Sequence, residues 1–198
     1  MKSLAIFASG RGSNAKNIIR YFRQSKDLRI RLIVSSHEKA GVLDIAREEG
    51  IPFQVLDKKE YYGSGEGLMK TLSKYQIEGI VLAGFLWLVP TYLIERFPHA
   101  MINIHPALLP KYGGRGMYGM YVHEAVWKNK EKYTGITIHE LNERYDEGKT
   151  LFQATCALSP QDMPEDIAQK VHELEYEHYP RVIEEYFGRG QRPMVGGS

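Results

Sequence analysis

The sequence predicts an α/β protein: a doubly wound, mostly parallel sheet with helices on both faces and an antiparallel C-terminal portion. Three observations carry that reading. Through the first half, short apolar runs alternate with amphipathic ones, the rhythm of βαβ units. A glycine-rich turn, Ser9-Gly10-Arg11-Gly12-Ser13-Asn14, joins the first apolar run to the first amphipathic one. In the second half, two strand-like runs flank a polar loop and a long helical pattern closes the chain.

The elements follow in order. Residues 4–8 are apolar and form the first strand, and the helix over 14–24 carries Ile18, Ile19 and Phe22 at helical spacing. Residues 31–34 form a second strand, and a helix over 42–49 stops at Gly50. A short strand at 52–56 and a helix at 67–75 precede a strongly apolar central strand at 79–85. A short helix at 90–96 leads to the strand at 100–104. Residues 111–121 are rich in Gly, Tyr and Met and read as a loop, with a helix at 122–128 behind it. Strands at 135–141 and 150–158 flank the polar loop 142–149. The last helix starts near Asp162, with Asp162 and Glu165 at capping-box spacing and Pro164 in its first turn. It runs towards Phe187 with a bend expected at Pro180.

A chain of 198 residues without a composition break is expected to be one domain over residues 1–188, with a loose Gly-rich tail at 189–198. A net charge of +2 gives no electrostatic footprint for a nucleic-acid partner. No apolar run approaches the roughly 18 residues of a membrane helix, so no membrane partner is expected. The lone Cys156 permits no intrachain disulfide and no cysteine metal cluster, which suits a cytoplasmic setting. No histidine spacing points to a metal site. The sequence leaves the oligomeric state open and permits a homo-oligomer.

The most informative segment is Asn103-Ile104-His105-Pro106 at the end of a strand. Alternation puts Asn103 and His105 on one face and Ile102 and Ile104 on the other. A buried parallel strand is normally apolar on both faces, and the C-terminal ends of such strands are where open α/β sheets bind ligands. A fixed amide donor beside a titratable imidazole suits a carbonyl that becomes an oxyanion. The competing reading is a pair that hydrogen-bonds nearby backbone to close a loop.

The Gly12-Ser13-Asn14 turn puts a helix N-terminus, side-chain donors and the Arg11 charge together, which suits a phosphate; the plainer reading is an N-capped tight turn. Residues 10–15 also fit a loose dinucleotide pattern. The second strand, however, ends Val34-Ser35-Ser36-His37 without the acidic residue that holds a ribose, so a monophosphate is preferred to NAD. Asp146 lies in a Tyr-Asp-Glu-Gly loop, and the residues alone favour a plain turn. A carboxylate there that reached His105 would raise its pKa and hold its charged form. His139 is expected as a satisfied sheet histidine, with a contribution to the site as the alternative. On the last helix, His172, Glu175, Tyr176 and Tyr179 share a face, with Glu175 free to meet a cationic or hydroxylated ligand.

Taken together, the Gly-Arg-Gly-Ser-Asn loop, Leu82-Ala83-Gly84-Phe85, Asn103-Ile104-His105-Pro106 with Leu108-Leu109-Pro110-Lys111-Tyr112, Gly135-Ile136-Thr137-Ile138-His139 before Asp146, and Tyr179-Pro180 resemble the 10-formyltetrahydrofolate-dependent formyltransferase family. Within it the likeness is to the phosphoribosylglycinamide formyltransferases, over residues 2–187. The resemblance implies a Rossmann-like formyltransferase fold. It implies an enzyme of de novo purine (IMP) biosynthesis that moves a formyl group from 10-formyltetrahydrofolate, its co-substrate, to the amine of 5'-phosphoribosylglycinamide. It implies His105 as general acid, Asn103 as oxyanion donor and folate contact, and Asp146 as the carboxylate that keeps the histidine charged. It also implies Gly12, Ser13 and Asn14 on the substrate phosphate, Glu175 on the glycinamide substrate, and Leu86, Trp87, Leu88 and Val89 on the pterin. Lys59 lies near a position where some relatives carry a folate-contacting Arg.

The chain departs from the pattern in three places. Residues 113–120 replace a segment that is shorter in many relatives, Trp87 stands where some carry Arg, and Lys149 follows Gly148 where an acidic or neutral residue is usual. Alternatives to transfer are a formyltetrahydrofolate hydrolase (deformylase), in which water is the acceptor, and a non-catalytic phosphate-ligand binding protein. Deformylases resembling this chain carry an extra N-terminal regulatory domain and tRNA formyltransferases an extra C-terminal one, and neither is expected in a chain of this length.

Overall fold

The computed structural model describes residues 1–188, so the tail expected at 189–198 lies outside the described residues. Among them, seven strands form one sheet: β1 (Lys2–Ala8), β2 (Leu28–Ser35), β3 (Phe53–Val55), β4 (Gly79–Leu82), β5 (Met101–His105), β6 (Tyr133–Glu140) and β7 (Thr150–Ala157). Their spatial order is β3-β2-β1-β4-β5-β6-β7. The first five are parallel, and β6 and β7 join antiparallel, as the sequence predicts. The helices are α1 (Ser13–Phe22), α2 (Val42–Glu48), α3 (Lys58–Tyr62), α4 (Glu66–Lys74), α5 (Thr91–Arg96), α6 (Met120–Lys128) and α7 (Pro164–Ile183). No helix among the described residues is long and apolar enough to cross a membrane.

Each face of the sheet buries its own core. Leu4, Ile6 and Ala8 of β1 point to a cluster with Ile18, Val42, Val171 and Ile183. Ala5 and Phe7 point to the other side, with Tyr61, Leu68, Leu72 and Leu93. The same alternation runs through β5, where Ile102 and Ile104 join the first cluster and Met101 the second. Asn103 and His105 therefore continue the face that Met101 begins, at the C-terminal edge of the parallel strands. The strand order reverses between β1 and β4, so the loops after β1 and β4 diverge and leave a crevice beside the end of β5.

Several boundaries differ from the sequence reading, each for a local reason. β2 begins at Leu28 rather than at residue 31, because Arg29 and Arg31 face solvent and hide its first half. β4 stops at Leu82, where Gly84 takes φ 74° and turns the chain into the cavity wall. Helix α3 is an addition, capped by Asp57, whose Oδ1 accepts the Glu60 N–H at 2.8 Å. The cap of α7 is not the Asp162/Glu165 pair: Asp166 accepts the Met163 N–H at 2.8 Å, and Pro164 is the first helical residue. Asp162 instead accepts the Ser159 N–H and pairs with Lys170.

Pro180 sits inside α7, and the chain goes on past Ile183 as a π-helical turn, Glu184–Gly188. Proline has no N–H for the carbonyl four residues back. Asn17 of α1 supplies the missing donor, its Nδ2 reaching the Tyr176 carbonyl at 2.9 Å. One turn later the buried Tyr179 hydroxyl donates to the Leu82 carbonyl at 2.7 Å. These two bonds fix α7 against the ends of α1 and β4, the elements that bound the crevice.

Candidate active site

A cavity of about 490 Å³ opens at this edge. It is lined by the loop after β1, the loop after β4, the end of β5, residues 114–119, the β6–β7 loop and one face of α7. Gly12, Ser13, Asn14, Leu86, Trp87, Leu88, Val89, Asn103, His105, Asp146 and Glu175, all expected as site residues, line it together. Lys59 is not among the lining residues and lies on the exposed side of α3. Its neighbour Lys58 sits 5.9 Å over the Trp87 ring.

At the β5 end the site is buried. His105 is 3% exposed and His139 2%. The Nε2 of His105 lies 2.7 Å from the Tyr112 carbonyl, which can only accept, so that nitrogen carries the hydrogen. The loop that brings Tyr112 there is held by Thr137, whose hydroxyl donates to the Ala107 carbonyl and accepts the Leu109 N–H. The remaining His105 nitrogen, Nδ1, faces Asp146 Oδ2 at 3.5 Å. Asp146 thus reaches the histidine rather than only turning a loop. Its backbone is left-handed, φ 56°, and the Gly114 N–H donates to its Oδ2 at 2.9 Å.

The expected charge on His105 is corrected by its surroundings. Burial lowers its pKa below the ordinary value and outweighs the opposing pull of Asp146 and the Tyr112 carbonyl. The resting imidazole is therefore neutral near pH 7. Burial also pushes the Asp146 carboxyl up, but His139, His105 and the Gly114 N–H together hold it below the usual carboxylate value.

His139 is more than a satisfied sheet histidine. Antiparallel pairing sets it directly opposite Asn103, so the two side chains share a face. Its Nδ1 must donate to the Glu140 carbonyl at 2.8 Å. In the neutral ring its Nε2 then accepts from Asn103 Nδ2 at 3.2 Å, and the same nitrogen lies 3.6 Å from Asp146 Oδ1. That bond sets which way the Asn103 amide points and leaves its second N–H for the cavity. Sequence alternation showed only that His139 faces with Thr137; the β5–β6 register decides what it meets.

At the β1 end, Gly12 takes φ 79°, and a Cβ there would sit 2.7 Å from that of Val42. No side chain caps α1, so its first N–H groups stay available for an anion, and the N-cap reading of this turn is overturned. Ser13 and Asn14 turn instead to α7. Asn14 Nδ2 donates to Glu175 Oε2 at 2.9 Å, the same oxygen meets His172 Nδ1 at 2.6 Å, and His172 Nε2 lies 3.3 Å from the Ser13 hydroxyl. The hydrogen bond from Glu175 raises the His172 pKa above its ordinary value. His123, Arg115 and Tyr145 also line the cavity and were not singled out from sequence. His123 is buried and its pKa lowered by desolvation.

Comparison with known proteins agrees with this geometry. The formyl transferase family matches residues 2–183. The chain belongs to the formyl transferase family. It is 38% identical over 187 residues to the chloroplastic phosphoribosylglycinamide formyltransferase of Arabidopsis thaliana, covering 92% of this chain and 64% of that relative. It is 32% identical to the phosphoribosylglycinamide formyltransferase of Bacillus subtilis, covering 97% of this chain and 98% of the relative. The solved phosphoribosylglycinamide formyltransferase of Bacillus halodurans superposes with a TM-score of 0.86 at 29% identity, over 96% of this chain and 97% of that one. The chain spans under two thirds of the length of the two plant relatives, 64% and 60%. The resemblance stated from motifs is borne out, as is the mostly parallel sheet with an antiparallel C-terminal portion.

Proposed function

We propose that this formyl transferase, acting as one domain over residues 1–188, moves the formyl group of 10-formyltetrahydrofolate to the amine of 5'-phosphoribosylglycinamide in de novo purine synthesis. The observation that carries the proposal is the sharing of one cavity by an uncapped helix N-terminus, an apolar wall and a buried Asn–His–Asp group. The phosphate lies on Gly12, Ser13 and Asn14. The pterin lies along residues 86–89. The formyl carbon sits between them beside Asn103 and His105, and Glu175 orients the glycinamide.

The amine attacks the formyl carbon, a C–N bond forms and the carbonyl oxygen takes the negative charge. The free N–H of Asn103 stabilises that oxyanion. His105 acts from its neutral form: with Nε2 tied to the Tyr112 carbonyl, Nδ1 takes the proton released by the amine. Asp146, facing that nitrogen, stabilises the imidazolium while it lasts. Nδ1 then returns the proton to N10 of the folate as the bond from N10 to the formyl carbon breaks. A net proton moves from the amine to N10, and no covalent enzyme intermediate is needed. His139 is a positioning residue, acting through Asn103.

The reading is tested by following tetrahydrofolate release from 10-formyltetrahydrofolate spectroscopically, with and without phosphoribosylglycinamide. Release that requires the glycinamide is the expected result. Release without it makes the protein a deformylase. No release by protein that binds both ligands makes it a binding protein. A cytoplasmic setting is part of the proposal and rests on the lone Cys156.

A further inference from the structure

We propose that a second cavity, behind the loop that carries Tyr112, binds a phosphate-bearing small molecule, and that its occupancy is felt at His105 through Tyr112. The site itself is independent of the formyl-transfer reading, and only its link to His105 bears on that reading. The cavity, of about 560 Å³, lies where the loop after β5 meets the end of α6 and the start of β6. It shares no lining residue with the active-site cavity. Three lysines, Lys111, Lys130 and Lys132, line it against one carboxylate, Glu131. Lys111 is paired, its Nζ 2.9 Å from Glu131 Oε1. Lys130 and Lys132 are exposed and make no ion pair among the described residues. The surplus of positive charge in a concave site suits an anion.

The conformation of Lys130 is the clearest sign of a ligand. At the end of α6 the Lys130 N–H donates to the Trp127 carbonyl and the Glu131 N–H to the Val126 carbonyl. That pairing sets the residue after the helix cap in the left-handed region, where glycine is favoured. Lys130 takes φ 49° there. A lysine in a glycine position strains the backbone, so what it adds is an ammonium on the cavity wall. The volume suits a ligand larger than a bare ion, and the lining Tyr133 ring, 62% exposed, offers a base or sugar an apolar face. The link to the active site runs through Glu131, whose Oε1 accepts from Lys111 Nζ and from the Tyr112 hydroxyl, each at 2.9 Å. The Tyr112 carbonyl in turn accepts from His105 Nε2 at 2.7 Å. A phosphate that draws Lys111 from Glu131 changes what holds Tyr112, and with it the bond on His105.

The test is an NMR titration of the full chain near about pH 7.5, where a phosphate monoester, with its second pKa near about 6, is a dianion. The probes are adenosine 5'-monophosphate, inorganic phosphate and adenosine. The monophosphate is expected to shift the backbone amides of residues 131–134 and the His105 ring signals with one Kd, and adenosine to shift neither. Lys130→Gly and Lys132→Gln should each weaken that Kd by about tenfold or more, the worth of a hydrogen bond to a charged group. Both should leave formyl transfer without the ligand unchanged. Lys130→Gly should also raise Tm, which separates loss of the charge from loss of the fold, and Lys132→Arg should keep the binding. Tighter binding of the monophosphate than of inorganic phosphate assigns the site to a phosphorylated nucleoside, and equal binding assigns it to the free ion; either supports the site. Shifts confined to residues 12–14 place the probe on the α1 turn alone and overturn the second site, as does an unchanged Kd in both lysine variants. Shifts at 131–134 without one at His105 support the site and overturn its link to Tyr112. A site that behaves as expected in a chain that transfers no formyl group overturns the transferase reading alone.

Discussion

Two of the histidine–carboxylate pairs that face the cavity have their imidazole pKa values shifted in opposite directions. His105 meets Asp146 at 3.5 Å, with its side chain 4% exposed. His172 meets Glu175 at 2.6 Å, with its side chain 51% exposed. In the first pair the carboxylate is too far for a good hydrogen bond and desolvation prevails, so the imidazole is kept neutral. In the second the hydrogen bond to Glu175 prevails over desolvation, so the imidazole pKa is raised above its ordinary value. A neutral ring can take a proton and return it, the role the proposed mechanism gives to His105. The same two residue types are therefore shifted in opposite directions by distance and burial alone.

The sharpest way to break that division is to remove the reacting groups. His105→Ala should lose about 10²–10⁴ in kcat, the usual worth of a positioned acid–base group. Asn103→Ala should lose about 10²–10³, the usual worth of one oxyanion donor. Circular dichroism should remain that of the folded chain in both. Near-unaltered turnover by either variant would remove the β5 end from the chemistry. Asp146→Asn should lower kcat by about tenfold or more and lower the His105 pKa further, because the group that raises it is gone. A His105 resonance that titrates unchanged in that variant would dissolve the pair.

A smaller effect tests the scaffold of the glycine turn before α1. Gly12→Ala forces a Cβ into Val42 in a left-handed backbone position, and should destabilise the fold by about 1–3 kcal/mol in denaturant titration. It should also weaken ribose 5-phosphate binding, since the first turn of α1 must shift.

The smallest effects are the titrations themselves. Imidazole NMR should place His105 below and His172 above 6.5. Glu175→Gln should bring His172 back towards that value. The linkage to stability follows the same signs. His105, with its folded pKa below the unfolded one, opposes folding as pH falls through 6.5. His172, with its folded pKa raised, stabilises below 6.5 and loses that contribution as pH rises through its folded value. The Tm difference between the unaltered chain and His172→Gln should therefore shrink with rising pH. A constant difference would mean that His172 does not titrate in the folded chain.

Much of the fold was legible because its signals are local. Apolar runs, Gly50 as a helix stop and the period-2 pattern of β5 are read within a few residues of themselves. β2 was partly hidden by Arg29 and Arg31, whose outward alternation looks like surface until the pairing with β1 is known. Helix α3 carried a readable cap in Asp57 and Glu60, but at 5 residues it is too short for periodicity to declare it. The start of α7 moved by two residues because two acidic pairs offered equivalent capping spacing, and only the chain's path chose Asp166.

By itself the sequence determined the α/β class, the glycine turn that leads into the first helix, and the placing of Asn103 and His105 on one face at a strand end. Those follow from backbone geometry, which repeats every two residues in a strand and leaves N–H groups free at every helix start. Only the tertiary structure decided what each polar side chain meets. His139 joins Asn103 through the β5–β6 register, Asp146 reaches His105 across a loop, and His172 lies 159 positions along the chain from Ser13. It also decided the sign of each histidine's pKa shift, because desolvation depends on everything packed around a group, and no spacing along the chain encodes that.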